Sequence, residues 1–102
     1  IFTFCIYADN MKYEWDNNKN QENINKHGID FNDVVEVFKY PILTAIDERF
    51  DYDEKRIVGI GIMKSIVIIV VYVEKANELT RIISARKATK YEREKYEEKL
   101  SY

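Results

Sequence analysis

Four basic side chains crowd one short stretch of this chain, RIISARKATKYE (residues 81–92). Arg81, Arg86, Lys87 and Lys90 fall within ten residues that hold no Asp or Glu. Arginine presents a planar fork of N–H donors that matches a phosphate, and it stays charged at any physiological pH. The stretch reads as a strand running into a helix, and the free backbone amides of that junction, near Thr89 to Tyr91, also favour anions. Strict alternation puts Ile82, Ser84 and Arg86 on one strand face and Arg81, Ile83 and Ala85 on the other. The two guanidinium groups are therefore separated unless a bulge intervenes. Spacing alone favours the blander reading, a solvated strand end ion-paired with an acidic segment.

A second group suited to chemistry is His27, the only histidine. Histidine ordinarily titrates near neutrality, which suits proton transfer. On its own, however, the Lys26-His27 pair is better explained as a helix end, where two cations complement the dipole before a Gly28 cap. Glu48 and Arg49, in IDERFDYDE, offer a loop acid and cation or simply a soluble turn. Tyr72, Tyr91 and Tyr96 can donate protons or stack on bases, although eight tyrosines in so short a chain point mostly to packing. One cysteine and one histidine do not make a structural zinc site within the chain. No glycine-rich phosphate loop, nucleophile elbow or metal-binding carboxylate motif is present.

These side chains are positioned by a recognisable order of elements. A short strand at 12–15 precedes a polar helix that Asp16 caps and Gly28 ends. Asp30 caps a second helix in which Phe31, Val34, Val35 and Phe38 share one face, and Pro41 stops it. From Ile42 the apolar period becomes two, predicting strands at 42–47, 55–62, 66–74 and 79–86, with hairpins near Met63-Lys64-Ser65 and in EKANE (74–78). The strand Val67–Val73 is apolar on both faces and belongs at the centre of the sheet. Thr89 and Glu92 form a capping box that opens a last, mostly polar helix. The result is an α+β domain with two N-terminal helices, an antiparallel meander and a C-terminal helix.

The chain's 102 residues make one domain, and 46% hydrophobic with 33% charged residues describes a folded protein. A formal net charge of -2 gives no global pull on nucleic acid. Charge is uneven nevertheless, since residues 30–54 hold eight acids against two bases. The apolar run IVGIGIMKSIVIIVVYV (57–73) is broken by Lys64 and rich in β-branched residues, so it reads as strands rather than a membrane span. A lone Cys5 excludes an internal disulfide and suits a reducing cytoplasm. Residues 1–10 lack the features of a signal peptide. Met11 follows them directly, and they read as an upstream extension that adds little to the fold, leaving residues 11–102 as the domain.

Taken together, MKYEWDNNKNQENINKHGIDFNDVVEVF, IDERFDYDEKRIVGIG, VVYVE and RIISARKATKYEREKYEE resemble the BrnT family of bacterial type II toxins from about Met11 onward. KHGIDF and RIISARKAT are the most specific parts of the likeness. The resemblance implies a RelE-like fold and a ribonuclease that stops translation. It further implies a BrnA-like antitoxin with a ribbon-helix-helix DNA-binding domain, and a heteromeric complex that represses its own operon. A toxin homodimer within a heterotetramer would fit, with operator DNA reached only through the antitoxin.

RelE-like chemistry needs no metal or other cofactor, because the ribose 2′-hydroxyl attacks the adjacent phosphate. On that basis Arg86 and Arg81 are expected at the phosphate and His27 as proton carrier, with Glu48 as an alternative base. Lys26, Lys87, Lys90 and Tyr96 are expected to contact RNA. Two other readings stay open: a non-catalytic module that binds its antitoxin in operon repression, and a dimerisation domain with a decayed active site.

Overall fold

Asp16 and Gly28 bound the first helix, α1 (Asn17–His27), in the way their chemistry dictates. Asp16 Oδ1 accepts the N–H groups of Asn18 at 2.8 Å and Lys19 at 3.1 Å, supplying partners for amides the helix cannot satisfy itself. At the other end Gly28 adopts φ 70°, and its N–H donates to the Ile24 carbonyl at 2.8 Å. The protein is described here by a computed structural model covering residues 3–48 and 54–100, so the expectation for Arg49 lies outside the described residues.

Asp30 caps the second helix through the Asn32 N–H at 2.9 Å. This helix is shorter than its spacing predicts. One α-turn, α2 (Phe31–Val34), tightens into a 3-10 segment over Val35–Lys39. A period of three then aligns Phe31, Val34 and Val37, all fully buried, while Val35 moves to the margin of the core. Tyr40 is extended, as the residue before Pro41 must be.

Six strands form one sheet: β1 (Thr3–Cys5), β2 (Lys12–Glu14), β3 (Ile42–Ile46), β4 (Ile57–Met63), β5 (Ile66–Lys75) and β6 (Leu79–Lys87), in the order β1-β3-β4-β5-β6-β2. The meander β3 to β6 is antiparallel as expected, and β5 lies inside it. Two edges depart from expectation. β2 adds to the outer side of β6 in parallel, from Lys12 opposite Leu79 to Glu14 opposite Arg81. Residues 1–10 do more than expected, since Thr3–Cys5 pairs with β3. Tyr7 also packs edge-on against Phe38 and Tyr72, with centroids 5.2 and 6.1 Å away, and shares a hydroxyl hydrogen bond with Tyr72. Burial pushes the Tyr7 phenol up to about 12 and the Tyr72 phenol further still.

Directly opposed residues of neighbouring strands share a sheet face. One face carries Ile57, Ile68, Val70, Tyr72, Ile82 and Ala85 under Phe31, Val34, Val37 and Phe38. The other carries Leu43, Ile60, Val67 and Ile69 under Ala88 and Tyr96. Tyr96 belongs to α3 (Lys90–Leu100), opened by the Thr89–Glu92 box with Thr89 N–H to Glu92 Oε1 at 2.8 Å and Glu92 N–H to Thr89 Oγ1 at 3.2 Å, and Ala88 lies just before it. Ala45, Val58, Val71 and Ser84, further along this face, are only half-buried.

Strand β4 passes close beneath the first cover. A Cβ at Gly59 would lie 2.6 Å from Ile42 Cδ1 and 3.3 Å from Tyr72 Cε1, both on fully buried side chains. Gly59→Ala therefore overpacks the core and is expected to cost about 1–3 kcal/mol. For a chain of this size the thermal midpoint should fall by roughly 4–8 °C per kcal/mol, checked by calorimetry; an unchanged midpoint would contradict this packing.

Candidate active site

The site is organised by the side chain of Asn23, buried in the middle of α1. Its Nδ2 donates to the carbonyls of Ala85 at 2.9 Å and Ile29 at 3.0 Å, and its Oδ1 accepts the Ala85 N–H at 3.1 Å. Strand β2 pairs with β6 only over Leu79–Arg81, so it cannot serve Ala85 on that edge. The amide of Asn23 takes the place of a strand there. His27 follows one helical turn later on the same side of α1, which brings the imidazole over the β6 edge beside Arg86.

The β5–β6 register contains an irregularity that decides where the arginines point. Val71 stands opposite Ser84 but Tyr72 stands opposite Ile82, leaving Ile83 as the extra residue of a bulge. Strict alternation is thereby broken. Ile82 and Ala85 are both buried on the helix-covered face, while Arg81, Ser84 and Arg86 oppose Val73, Val71 and Ile69 on the other. The bulge reunites the two arginines on one face.

They do not share a cavity. A groove of about 420 Å³ is lined by His27, Asp47, Glu48, Ser84, Arg86 and Glu92, with Val58, Ile69 and Val71 among its apolar walls. Arg86 is clamped there in two-point fashion, Nη1 to Glu92 Oε1 and Nη2 to Glu92 Oε2, each at 2.8 Å. The hydrogen bonds from Arg86 hold the Glu92 carboxyl down at about 2, assisted by the Thr89 N–H. Glu92 is therefore ionised and fixes the plane of the guanidinium. One residue caps α3 and orients Arg86 at the same time.

The remaining expected site residues are dispersed. Arg81 lines a separate cavity, its Nε donating to Glu14 Oε2 at 2.7 Å. Lys87 faces a third groove beside Ala88 and Tyr96. Lys90 extends into solvent, 81% exposed, with Glu94 at 3.9 Å. Lys26 is exposed next to His27. Tyr96 is a correction of another kind, because it is 1% exposed, its ring belongs to the second core and its hydroxyl donates to the Pro41 carbonyl at 3.0 Å. It has no face to offer a base. The four cations of residues 81–90 thus point to different places, and only Arg86 meets the imidazole.

Three groove residues escaped sequence reasoning. Asp47, buried at the end of β3 with its N–H on the Arg56 carbonyl at 2.8 Å, was hidden in an acidic loop. Glu92 was legible only as a cap, and Ser84 only as a strand residue. Among the described residues no group of three or more His, Cys, Asp or Glu side chains is arranged to hold a metal ion. Nor is any described helix long and apolar enough to cross a membrane.

Fold and groove together define a small α+β domain whose sheet is sheathed by helices on one face and opens, at one end of the other, onto an imidazole and a carboxylate-clamped guanidinium. The family model for the ribonuclease toxin BrnT of type II toxin-antitoxin systems matches residues 15–92, and the chain belongs to that family. It is similar to the 1.1 Å crystal structure of the Brucella abortus ribonuclease toxin, BrnT, at 34% identity and a TM-score of 0.61, over 78% of this chain and 99% of that one. No curated protein sequence matches significantly. Membership makes the chain a ribonuclease toxin and gives it an antitoxin as partner. Every groove residue lies inside the matched segment, whereas Tyr96 lies beyond it.

Two stability measurements check this architecture. Asn23→Ala strands the buried N–H and C=O of Ala85 and should cost about 1–3 kcal/mol, read by denaturant unfolding; a loss below ~0.5 kcal/mol would deny the anchor. The Glu92–Arg86 pair has a signed pH dependence. Because folding lowers the Glu92 pKa, the pair's contribution is present above the ordinary value of 4.5 and fades as pH falls towards about 2. The stability gap between wild type and Glu92→Gln, on the order of 1 kcal/mol after solvent screening, should be open at pH 7 and closed near pH 2.

Proposed function

We propose that this groove cleaves single-stranded RNA by attack of a ribose 2′-hydroxyl on the adjacent phosphate, without a metal. The observation that carries the reading is the meeting of His27, Glu48 and the clamped Arg86 around one opening. Two protons must move in such a reaction, one off the 2′-hydroxyl and one onto the departing 5′-oxygen. Glu48, delivered by the end of β3, accepts the first, and His27, delivered by α1, carries the second to the departing oxygen. Negative charge grows on the non-bridging phosphate oxygens as the fifth bond to phosphorus forms. Arg86, immobilised by Glu92, stabilises that charge without having to reorganise. Glu92 cannot itself carry a proton at neutral pH, since Arg86 holds it ionised.

Lys26, exposed next to His27 but not among the residues that line the groove, steers the RNA backbone. Lys87 and Lys90 are too scattered to act on the reacting phosphate. We assign the partner as a ribbon-helix-helix antitoxin of the BrnA type, with a toxin homodimer inside a heterotetramer that reaches operator DNA only through the antitoxin. The cytoplasm is the compartment where both RNA and antitoxin are met. Type II membership supports this assembly in outline.

The reaction is tested with the toxin freed of its antitoxin. Arg86→Ala and His27→Ala should each slow cleavage by about 100-fold or more, and the products should carry 2′,3′-cyclic phosphate and 5′-hydroxyl ends. A single 2′-deoxy substitution at the scissile nucleotide should abolish the cut. Equal digestion by wild type and both variants would overturn the assignment. Binding of antitoxin with no RNA cleaved in any context would favour a non-catalytic module instead.

A further inference from the structure

We propose that the cavity beside Trp15 is a second nucleotide subsite, taking a base and a phosphate of the same RNA strand away from the scissile linkage; this rests on the ribonuclease reading above. The bulge at Ile83 gives Arg81 the same sheet face as Arg86, with Arg81 opposite Val73 and Arg86 opposite Ile69. Four residues along β5 separate those positions by about 13 Å. That span is too long for both guanidinium groups to hold one phosphate, and it suits phosphates that are not adjacent.

Around Arg81 lies a cavity of about 440 Å³ lined by Trp15, Lys19, Arg56 and Arg81 together with Glu14, Asp16 and Glu54. Trp15 is half-buried, and its ring is held edge-on by Phe31 with centroids 6.1 Å apart at 79°. A fixed, partly open indole is a platform on which any base can stack. Two of the acids are already committed. Glu14 receives Arg81 Nε at 2.7 Å and Lys75 Nζ at 3.2 Å, which lowers its pKa through the Arg81 and then the Lys75 hydrogen bond. Asp16 caps α1. The bridge to Glu14 engages Arg81 through Nε, so both Nη groups remain as donors for a phosphate, with Lys19 beside them. Aromatic surface interleaved with fixed cations is the composition of a single-strand binding track.

Trp15 is the only tryptophan, so its fluorescence reports on this cavity alone. The probes are 2′-O-methyl RNA oligonucleotides, which cannot supply the attacking hydroxyl. A hexanucleotide should quench Trp15 emission, and Arg81→Gln should weaken its binding about tenfold and flatten the salt dependence of log K by about one phosphate contact. Lys19→Gln, on the exposed surface of α1, should act in the same direction should Arg81→Gln unfold. A dinucleotide should bind without quenching and without regard to either substitution.

Hexanucleotide binding that leaves Trp15 emission unchanged, or an unaltered affinity and salt slope in both variants, overturns the subsite. So does emission that responds to the co-expressed antitoxin but to no RNA, which would mark a protein-binding groove. Cleavage that depends on Arg86 while Arg81, Lys19 and Trp15 stay silent sinks the subsite and leaves the ribonuclease reading standing. Cleavage indifferent to Arg86→Ala removes that reading and the subsite with it.

Discussion

The geometry of the site hangs on one side-chain amide. Helix α1 is polar along most of its length, so it has no broad apolar stripe to seat it on the sheet. Asn23 substitutes for that stripe by pairing with both backbone groups of Ala85. Asn20, three residues earlier, ties the same face to the next turn, its Nδ2 on Asp30 Oδ1 at 3.0 Å and its Oδ1 on the Phe31 N–H at 2.8 Å. Apolar contacts tolerate sliding by fractions of a turn, because their attraction has no direction. Paired hydrogen bonds do not, since an offset leaves buried polar groups unsatisfied. The helix is therefore located along and around its axis, and His27 inherits that location. A polar anchor also explains how so short a helix can hold the His27 imidazole in place at its exposed end.

The bulge at Ile83 is the second such device. Without it Arg81 would face the helices with Ala85, and burying a guanidinium under Phe31 and Val34 would carry a heavy desolvation cost. With it, Ile82 and Ala85 both serve the core and both arginines reach the open face. One unpaired residue thus resolves a conflict between what the core needs and what the open face needs. Bulges recur beside active sites because they re-aim side chains without changing the strand's path through the sheet.

What could be read from residues alone divides along physical lines. Local chemistry was legible: the caps at Asp16, Asp30 and Thr89–Glu92, the glycine at φ 70°, and the alternation that marks the meander. Even the turn at Lys64-Ser65 followed from the change of apolar run, although both residues adopt positive φ of 50° and 66° without being glycine. Long-range pairings were not legible. Strand β1 is too short for a period to show, and although β2 was read as a strand, each pairs with a partner far along the chain. The 3-10 segment was read as α-helix because a few apolar residues fit either period. In the site, His27 and Arg86 were found by residue type, but their convergence depends on the anchoring of α1 through Asn23. Arg81, Lys87, Lys90 and Tyr96 were grouped by proximity in sequence, which a strand-to-helix corner then scattered.

The groove's charge has a consequence for how the toxin must work. Among the described residues, Asp47, Glu48 and Glu92 line it beside one arginine. Carboxylates at that position serve geometry. Glu92 spends part of the arginine's charge in order to fix its plane, and a fixed cation stabilises a transition state better than a mobile one because no reorganisation accompanies the reaction. On the proposed reaction, ground-state affinity comes largely from outside this groove, along the strand's path or from a larger RNA-bearing assembly. Such a division keeps binding weak where the chemistry is strong, so that binding energy is not wasted on the uncleaved linkage.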